Sequence, residues 1–237
     1  MPIITTDSNN TTVEWTAMFG EYEDLDPELQ DYVNETETFG MGIRHPLVYS
    51  IMHFPQMNAR ANKQLASKKA ALVEAEAEGD WHSYVYLHER PYRIMGFEAV
   101  AHRMTDAYYW ELLGSIWCDS ENIEQNPRLW ENLLRSERPE REQIMQPQER
   151  ETLRDLPASI PVYQGHTTRR HDGWSWTTNF DKAVWFARRF ANIENSFPVV
   201  TAGKVKKSSV IAYFDRRGEF EIVAPRRCVT DRKAINL

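Results

Sequence analysis

From Pro157 onward the chain changes its hydrophobic period. Before that residue, apolar positions recur at helical spacing; after it they fall in short alternating runs, "SIPVYQGH", "GWSWTT", "VVTAGKVK", "VIAYF" and "GEFEIVA". Each run is rich in β-branched and aromatic residues and is bounded by Gly, Asp or Arg turns, the grammar of strands. One amphipathic stretch, "DKAVWFARRFA", separates the second run from the third and reads as a helix. A helical front followed by a β-rich end implies an α+β fold.

The front half carries helix punctuation. Asp26-Pro27-Glu28 combines a capping acid, a proline suited to the first turn and a glutamate at the positive end of the helix dipole. Ala59 to Glu78 is built from strong helix formers, Gly79 ends it, and Asp80 caps the next helix, "WHSYVYLHER". Pro91 opens what the spacing of Ile94, Phe97, Ala101, Met104, Tyr108, Leu112 and Ser115 predicts to be one long helix. Asn126-Pro127 and Gln146-Pro147 repeat the cap-plus-proline pattern. The expected division is therefore residues 1–157, mainly helical and serving as a partner platform or as the structural half, and residues 158–237, β-rich.

At 237 residues, 41% hydrophobic and 27% charged, the chain has the make-up of a globular protein able to bury a core. Cys118 and Cys228 are the only cysteines and share no metal or redox spacing. No basic-then-apolar leader and no run of roughly 18 apolar residues is present. A cytoplasmic protein with no membrane partner is the expectation. The net charge of −7 is uneven, acidic in "EYEDLDPELQDYVNETE" and basic in "GKVKK", "DRRG", "APRR" and "TDRK", so an anionic ligand is expected late in the chain.

Three short pieces of the β-rich end carry chemistry. In "GEFEIV" strand alternation would put Glu219 and Glu221 on one face, with Phe220 and Ile222 on the other. In "GWSWTT" the same parity sets Ser175 and Thr177 against Trp174 and Trp176. In "IPVYQGH", Gln164 and His166 share a face, and Gly165 permits close approach of a backbone or a ligand. Singly, each has an ordinary explanation in solvent exposure or packing. The histidines lack companion cysteines or an HExxH pattern, so no metal site is expected, and no phosphate-loop, dinucleotide or nucleophile-elbow motif occurs.

In this order the pieces resemble the ADP-ribosyltransferase superfamily, in the branch defined by arginine, serine and glutamate motifs, and most closely its small phage-encoded members. The matching residues are "VYQG", "SWT" with the helix after it, and "EFE", between Ile160 and Ala224. The resemblance implies a pair of small β-sheets enclosing a cleft for NAD, the substrate, with no metal. It implies that Glu221 holds the ribose and stabilises an oxocarbenium-like transition state, that Ser175 orients Glu221, and that Glu219 positions or deprotonates the acceptor. Gln164, Tyr163, Gly165, Ser175, Trp176, Thr177 and Phe186 would line the NAD site, with Trp174 shaping it. Ala183, Phe186, Ala187 and Phe190 would pack the helix on the sheet, and Arg216 and Arg217 would meet the acceptor, a protein or a nucleic acid. The family's arginine is Gln164 here, a neutral amide in place of a charged contact, with Arg169 and Arg170 as nearby replacements. The implied activity is mono-ADP-ribosyl transfer to a macromolecule in a bacterial host cytoplasm. The alternatives are NAD hydrolysis and a transferase fold that only binds a partner.

Overall fold

The structure, a computed structural model, describes residues 23–36, 39–121, 123–169 and 173–237. The chain is α+β, with two antiparallel sheets, and divides into two compact units between His102 and Arg103.

In the first unit, helix α1 (Pro27–Gln30) starts where Asp26 accepts a hydrogen bond from the Glu28 N–H at 2.9 Å. Strands β1 (Val33–Thr36), β2 (Gly40–His45) and β3 (Val48–Ser50) then form a three-stranded sheet in sequential order. The front expected to be mainly helical thus also holds a small sheet that the sequence reading did not identify. The strands are short, and Gly42 sits where a Cβ would stand 2.6 Å from the Ser50 carbonyl oxygen, so its small size, which weakens the strand pattern in the sequence, is what lets β2 and β3 pair. Ile43, Leu47 and Val48 are buried with Leu29 and with Ala61 and Leu65 of helix α2 (Asn58–Glu78). Gly79, at φ +70°, reverses the chain, and Asp80 caps helix α3 (Trp81–Leu87) by accepting from the Ser83 N–H at 3.0 Å.

Helix α4 (Arg93–Val100) ends the first unit, so the long helix expected from Pro91 through Ser115 is two helices. A 3-10 turn, Ala101–Arg103, follows it. Thr105 then turns extended and caps helix α5 (Asp106–Asp119), its hydroxyl accepting from the Tyr108 N–H. Local capping by Thr105 and Asp106 overrides an apolar spacing that continues through the break.

The second unit holds α5, helix α6 (Pro127–Leu134), helix α7 (Pro147–Asp155) and all the strands after Pro157. The change of hydrophobic period at 157/158 thus falls inside a unit. Helix α7 begins with a capping box in which Gln146 and Glu149 satisfy each other's backbone N–H groups. Strands β4 (Ser159–Thr167), β5 (Ser175–Thr177), β6 (Pro198–Lys206), β7 (Ala212–Phe214), β8 (Glu221–Val223) and β9 (Val229–Asn236) form one sheet in the order β7-β8-β5-β4-β6-β9. Strand β4 pairs with β6 along its whole length, from Ser159↔Lys206 to Thr167↔Pro198, but with β5 only at Tyr163↔Thr177. The expected pair of sheets is therefore a single sheet whose halves part on either side of one rung.

Helix α8 (Phe180–Glu194), capped by Asn179 through the Lys182 N–H at 3.1 Å, lies against β4. Ala183, Ala187 and Ala191, four residues apart, are its buried face. Contact is close because position 165 is glycine: a Cβ there would lie 2.0 Å from the Ala183 carbonyl oxygen and 2.7 Å from the Ala187 nitrogen. Backbone atoms of a helix cannot yield as a side-chain tip can. Gly165→Ala is expected to lower unfolding free energy by about 2 kcal/mol, the scale of overpacking a tight contact, in urea melts.

Candidate functional site

The separation of β5 from β4 opens a cavity of about 460 Å³, within the usual range for small-ligand sites. Its floor is the sheet around Gln164, Ser175 and Glu221; one wall is α8, and the other is formed by Ser120, Glu121, Ile123, Glu124, Pro127 and Trp130.

Glu221 is only 4% exposed. It begins β8 opposite Thr177, and Ser175 lies diagonally across on the same face. The Ser175 hydroxyl donates to Glu221 Oε1 at 2.5 Å, and the Trp117 indole N–H of α5 donates to the same oxygen at 3.1 Å. Oε2 has no partner among the described residues, and Glu221 lines the cavity. Burial pushes the Glu221 carboxyl above the ordinary carboxylate range, while Ser175, Trp117 and Arg217 act to lower it and Glu219 adds to the rise.

Glu219 reaches the same cavity by a different route from the one the sequence suggests. Phe220 adopts φ +51°, a left-handed conformation, so β8 starts at Glu221 and strand alternation does not extend back to Glu219. The turn is fixed from several sides. The Thr177 hydroxyl donates to the Glu219 carbonyl oxygen at 2.7 Å and accepts from the Asn179 N–H, so it serves the backbone rather than forming a free hydroxyl row with Ser175. Arg217 donates to Glu219 Oε2 at 2.8 Å and to the Cys118 carbonyl oxygen at 2.7 Å. Burial pushes the Cys118 thiol up to about 12, so it stays protonated.

The two arginines of the turn diverge. Arg217 lines the cavity, but Arg216 does not. Arg216 instead grips the 5%-exposed carboxylate of Glu149 with two N–H groups, each at 3.2 Å, and donates to the Ile144 carbonyl oxygen. The Asp215 N–H adds a bond to Glu149 Oε1 at 3.2 Å. Glu149 thus caps α7 and anchors the β7–β8 turn together.

Gln164 spans the point where β4 and β5 part, its amide donating to the Ser175 carbonyl oxygen at 3.0 Å. Its Oε1 is buried without a hydrogen-bond partner among the described residues. Gly173 leaves room for this side chain, since a Cβ there would stand 2.4 Å from Gln164 Nε2. His166, also buried on the cavity, meets the Thr167 carbonyl oxygen through Nδ1 and the Thr201 hydroxyl through Nε2. Trp176 is buried with no partner for its indole N–H among the described residues, Trp174 is half-buried, and both line the cavity. Tyr163 packs edge-on against Phe180 at 5.3 Å.

On α8 the expected packing face divides. The alanines meet the sheet, while Phe186 and Phe190 stack on each other at 6.0 Å and, with Arg189 and Ile193, line the cavity. Of the two arginines expected to replace a charge at position 164, Arg169 donates to the Glu194 carbonyl oxygen and is not part of the lining. Arg170 lies outside the described residues. Sequence reasoning missed Trp117, Trp130 and Arg189. A buried indole needs an acceptor, which marks Trp117 as polar-partnered, but nothing in the sequence says that the acceptor lies 104 residues away.

Among the described residues no cluster of three His, Cys, Asp or Glu could hold a metal ion, and no helix is long and apolar enough to cross a membrane. Comparison with known protein families, curated proteins and solved structures finds no match to this chain.

A buried carboxylate with a raised pKa binds its proton more tightly folded than unfolded, so stability falls as pH rises from the ordinary carboxylate range through the raised value. Glu221→Gln keeps an acceptor oxygen and removes the charge. It is expected to be more stable than the wild type at neutral pH by about 1 kcal/mol, and the gap should close as the pH falls below the ordinary carboxylate range. Urea melts across pH measure it.

Proposed function

We propose that the second unit is a mono-ADP-ribosyltransferase acting on NAD. The observation that carries this is Glu221, a buried carboxylate on the cavity whose Oε1 is held by Ser175 and Trp117 and whose Oε2 has no partner among the described residues. Breaking the bond between nicotinamide and ribose sends the bonding electron pair to the ring nitrogen and leaves positive charge on the ribose. A fixed carboxylate in a poorly hydrated site stabilises that charge as it forms. Two donors on one oxygen preset the orientation, so little reorganisation accompanies the step.

Glu219, on the same cavity and 22% exposed, is placed to take the proton lost by an incoming nucleophile as the new bond to ribose forms. In the structure it is paired with Arg217, which fixes its side chain and must release it or share it during transfer. The acceptor is a macromolecular nucleophile, by the resemblance in "VYQG", "SWT" and "EFE" to the arginine/serine/glutamate transferases.

The decisive assay follows nicotinamide release, free ADP-ribose and labelled macromolecules from labelled NAD, with and without bacterial lysate. Glu221→Gln should lower nicotinamide release by about 100-fold or more, the scale of losing one electrostatic stabiliser. Glu219→Gln should abolish lysate labelling while keeping slow release of free ADP-ribose. Unchanged release in Glu221→Gln would refute the assignment.

The pH profile gives a second check. The carboxylate form of Glu221 is the active one, so nicotinamide release should rise with pH along a limb above the ordinary carboxylate range. Ser175 acts to lower the Glu221 pKa, and Ser175→Ala should therefore move that limb to higher pH as well as lowering the plateau.

A further inference from the structure

In the resembling family a charged arginine stands where this chain has Gln164, and the structure shows what that exchange does to the polarity of the floor. One N–H of the Gln164 amide is engaged with the Ser175 carbonyl oxygen, and Oε1 is a buried acceptor with no partner among the described residues. Position 164 therefore carries no positive charge and keeps a buried acceptor. A phosphate, which presents acceptors only, finds there a neutral amide in place of the charge-assisted contact that an arginine gives.

The cation has to come from elsewhere on the lining. Among the described residues two guanidinium groups are there, Arg189 and Arg217. Arg217 is held by Glu219 and by the Cys118 carbonyl oxygen. Arg189 has no carboxylate partner among the described residues; its guanidinium sits over the Trp185 ring at 5.4 Å from the centroid. It follows Phe186 by one turn of α8 and precedes Phe190, so the charge lies beside a stacked aromatic pair. Glu121, Glu124, Glu194, Glu219 and Glu221 also line this cavity, so an anionic ligand enters it only where a cation offsets them.

We propose that Arg189 is the phosphate contact of this site, so that a phosphate-bearing ligand lies with its anionic groups along α8, displaced from position 164. This rests on the reading of the cavity as a nucleotide site, but it can be tested without turnover. An arginine over an indole face is held in place without losing its N–H groups, which remain available for bidentate contact with phosphate oxygens.

The experiment is calorimetric titration of the full chain with ADP-ribose, inorganic pyrophosphate and adenosine. Arg189→Gln should weaken ADP-ribose about 10- to 100-fold, as expected for a charge-assisted contact, and abolish pyrophosphate binding. It should leave adenosine unchanged. Added salt should weaken ADP-ribose binding to the wild type more than to Arg189→Gln. Arg189→Lys should recover part of the loss, and Gln164→Arg placed in the Arg189→Gln background should recover affinity by restoring a cation on the floor.

Equal ADP-ribose affinity in wild type and Arg189→Gln overturns the proposal, and so does absence of binding by either phosphate compound. If NAD is turned over while ADP-ribose affinity ignores Arg189, the transferase assignment stands and the phosphate contact is wrong. If Arg189 governs phosphate binding while NAD is never cleaved, the phosphate contact stands and the transferase assignment fails.

Discussion

The second unit is organised around a carboxylate that water does not solvate. Glu221 is buried, and its charge is supported by two N–H or O–H donors from elements far apart in the chain, Trp117 on α5 and Ser175 on β5. Neither donor is in place until the helix has docked and the strand has paired. The isolated β-rich end would lack Trp117 and would expose the oxygen that this indole covers. For that reason the change of hydrophobic period at Pro157, clear as it is in the sequence, does not mark where one compact unit stops and the next begins.

The sheet explains why there is a cavity at all. Strand β4 is held along its full length by β6, yet touches β5 through a single rung at Tyr163↔Thr177. Beyond that rung the backbone of Ser175 would have an unpaired carbonyl, and Gln164 supplies the missing donor. A side chain thus replaces a strand–strand hydrogen bond where the strands must part. Glycine at 165 allows α8 to sit close on β4, and α8 then carries an aromatic and cationic edge along the opening.

Much of this is legible in the sequence, for reasons that can be stated residue by residue. Caps and prolines at Asp26, Asp80, Asn126 and Gln146 mark helix starts because they act within one turn, and each of these helices is found. The strand runs after Pro157 are legible because alternation is also local. What fails is anything set at long range or by one unusual residue. The first-unit sheet is hidden by short strands and by Gly42; the long helix is cut by Thr105; and the parity linking Glu219 to Glu221 is broken by the left-handed backbone of Phe220. The two glutamates still share a cavity, but a fixed turn brings them there rather than a common strand face. Arg216 and Arg217, neighbours in the sequence, part company because only one of them faces Glu149.

Glu149 gives that last contact a further meaning. Its carboxylate closes the capping box of α7 and also receives the backbone and guanidinium of the β7–β8 turn. Two tasks usually given to separate residues, starting a helix and holding a functional loop, are fused in one side chain. Evolution cannot tune them independently. A replacement that preserves helix initiation, such as the amide, alters the charge that anchors the turn, and lengthening the turn removes a ligand of the cap. The region from Gln146 to Glu149 is therefore tied to the region from Asp215 to Glu221 as a single heritable module, and homologous chains should exchange the two only together.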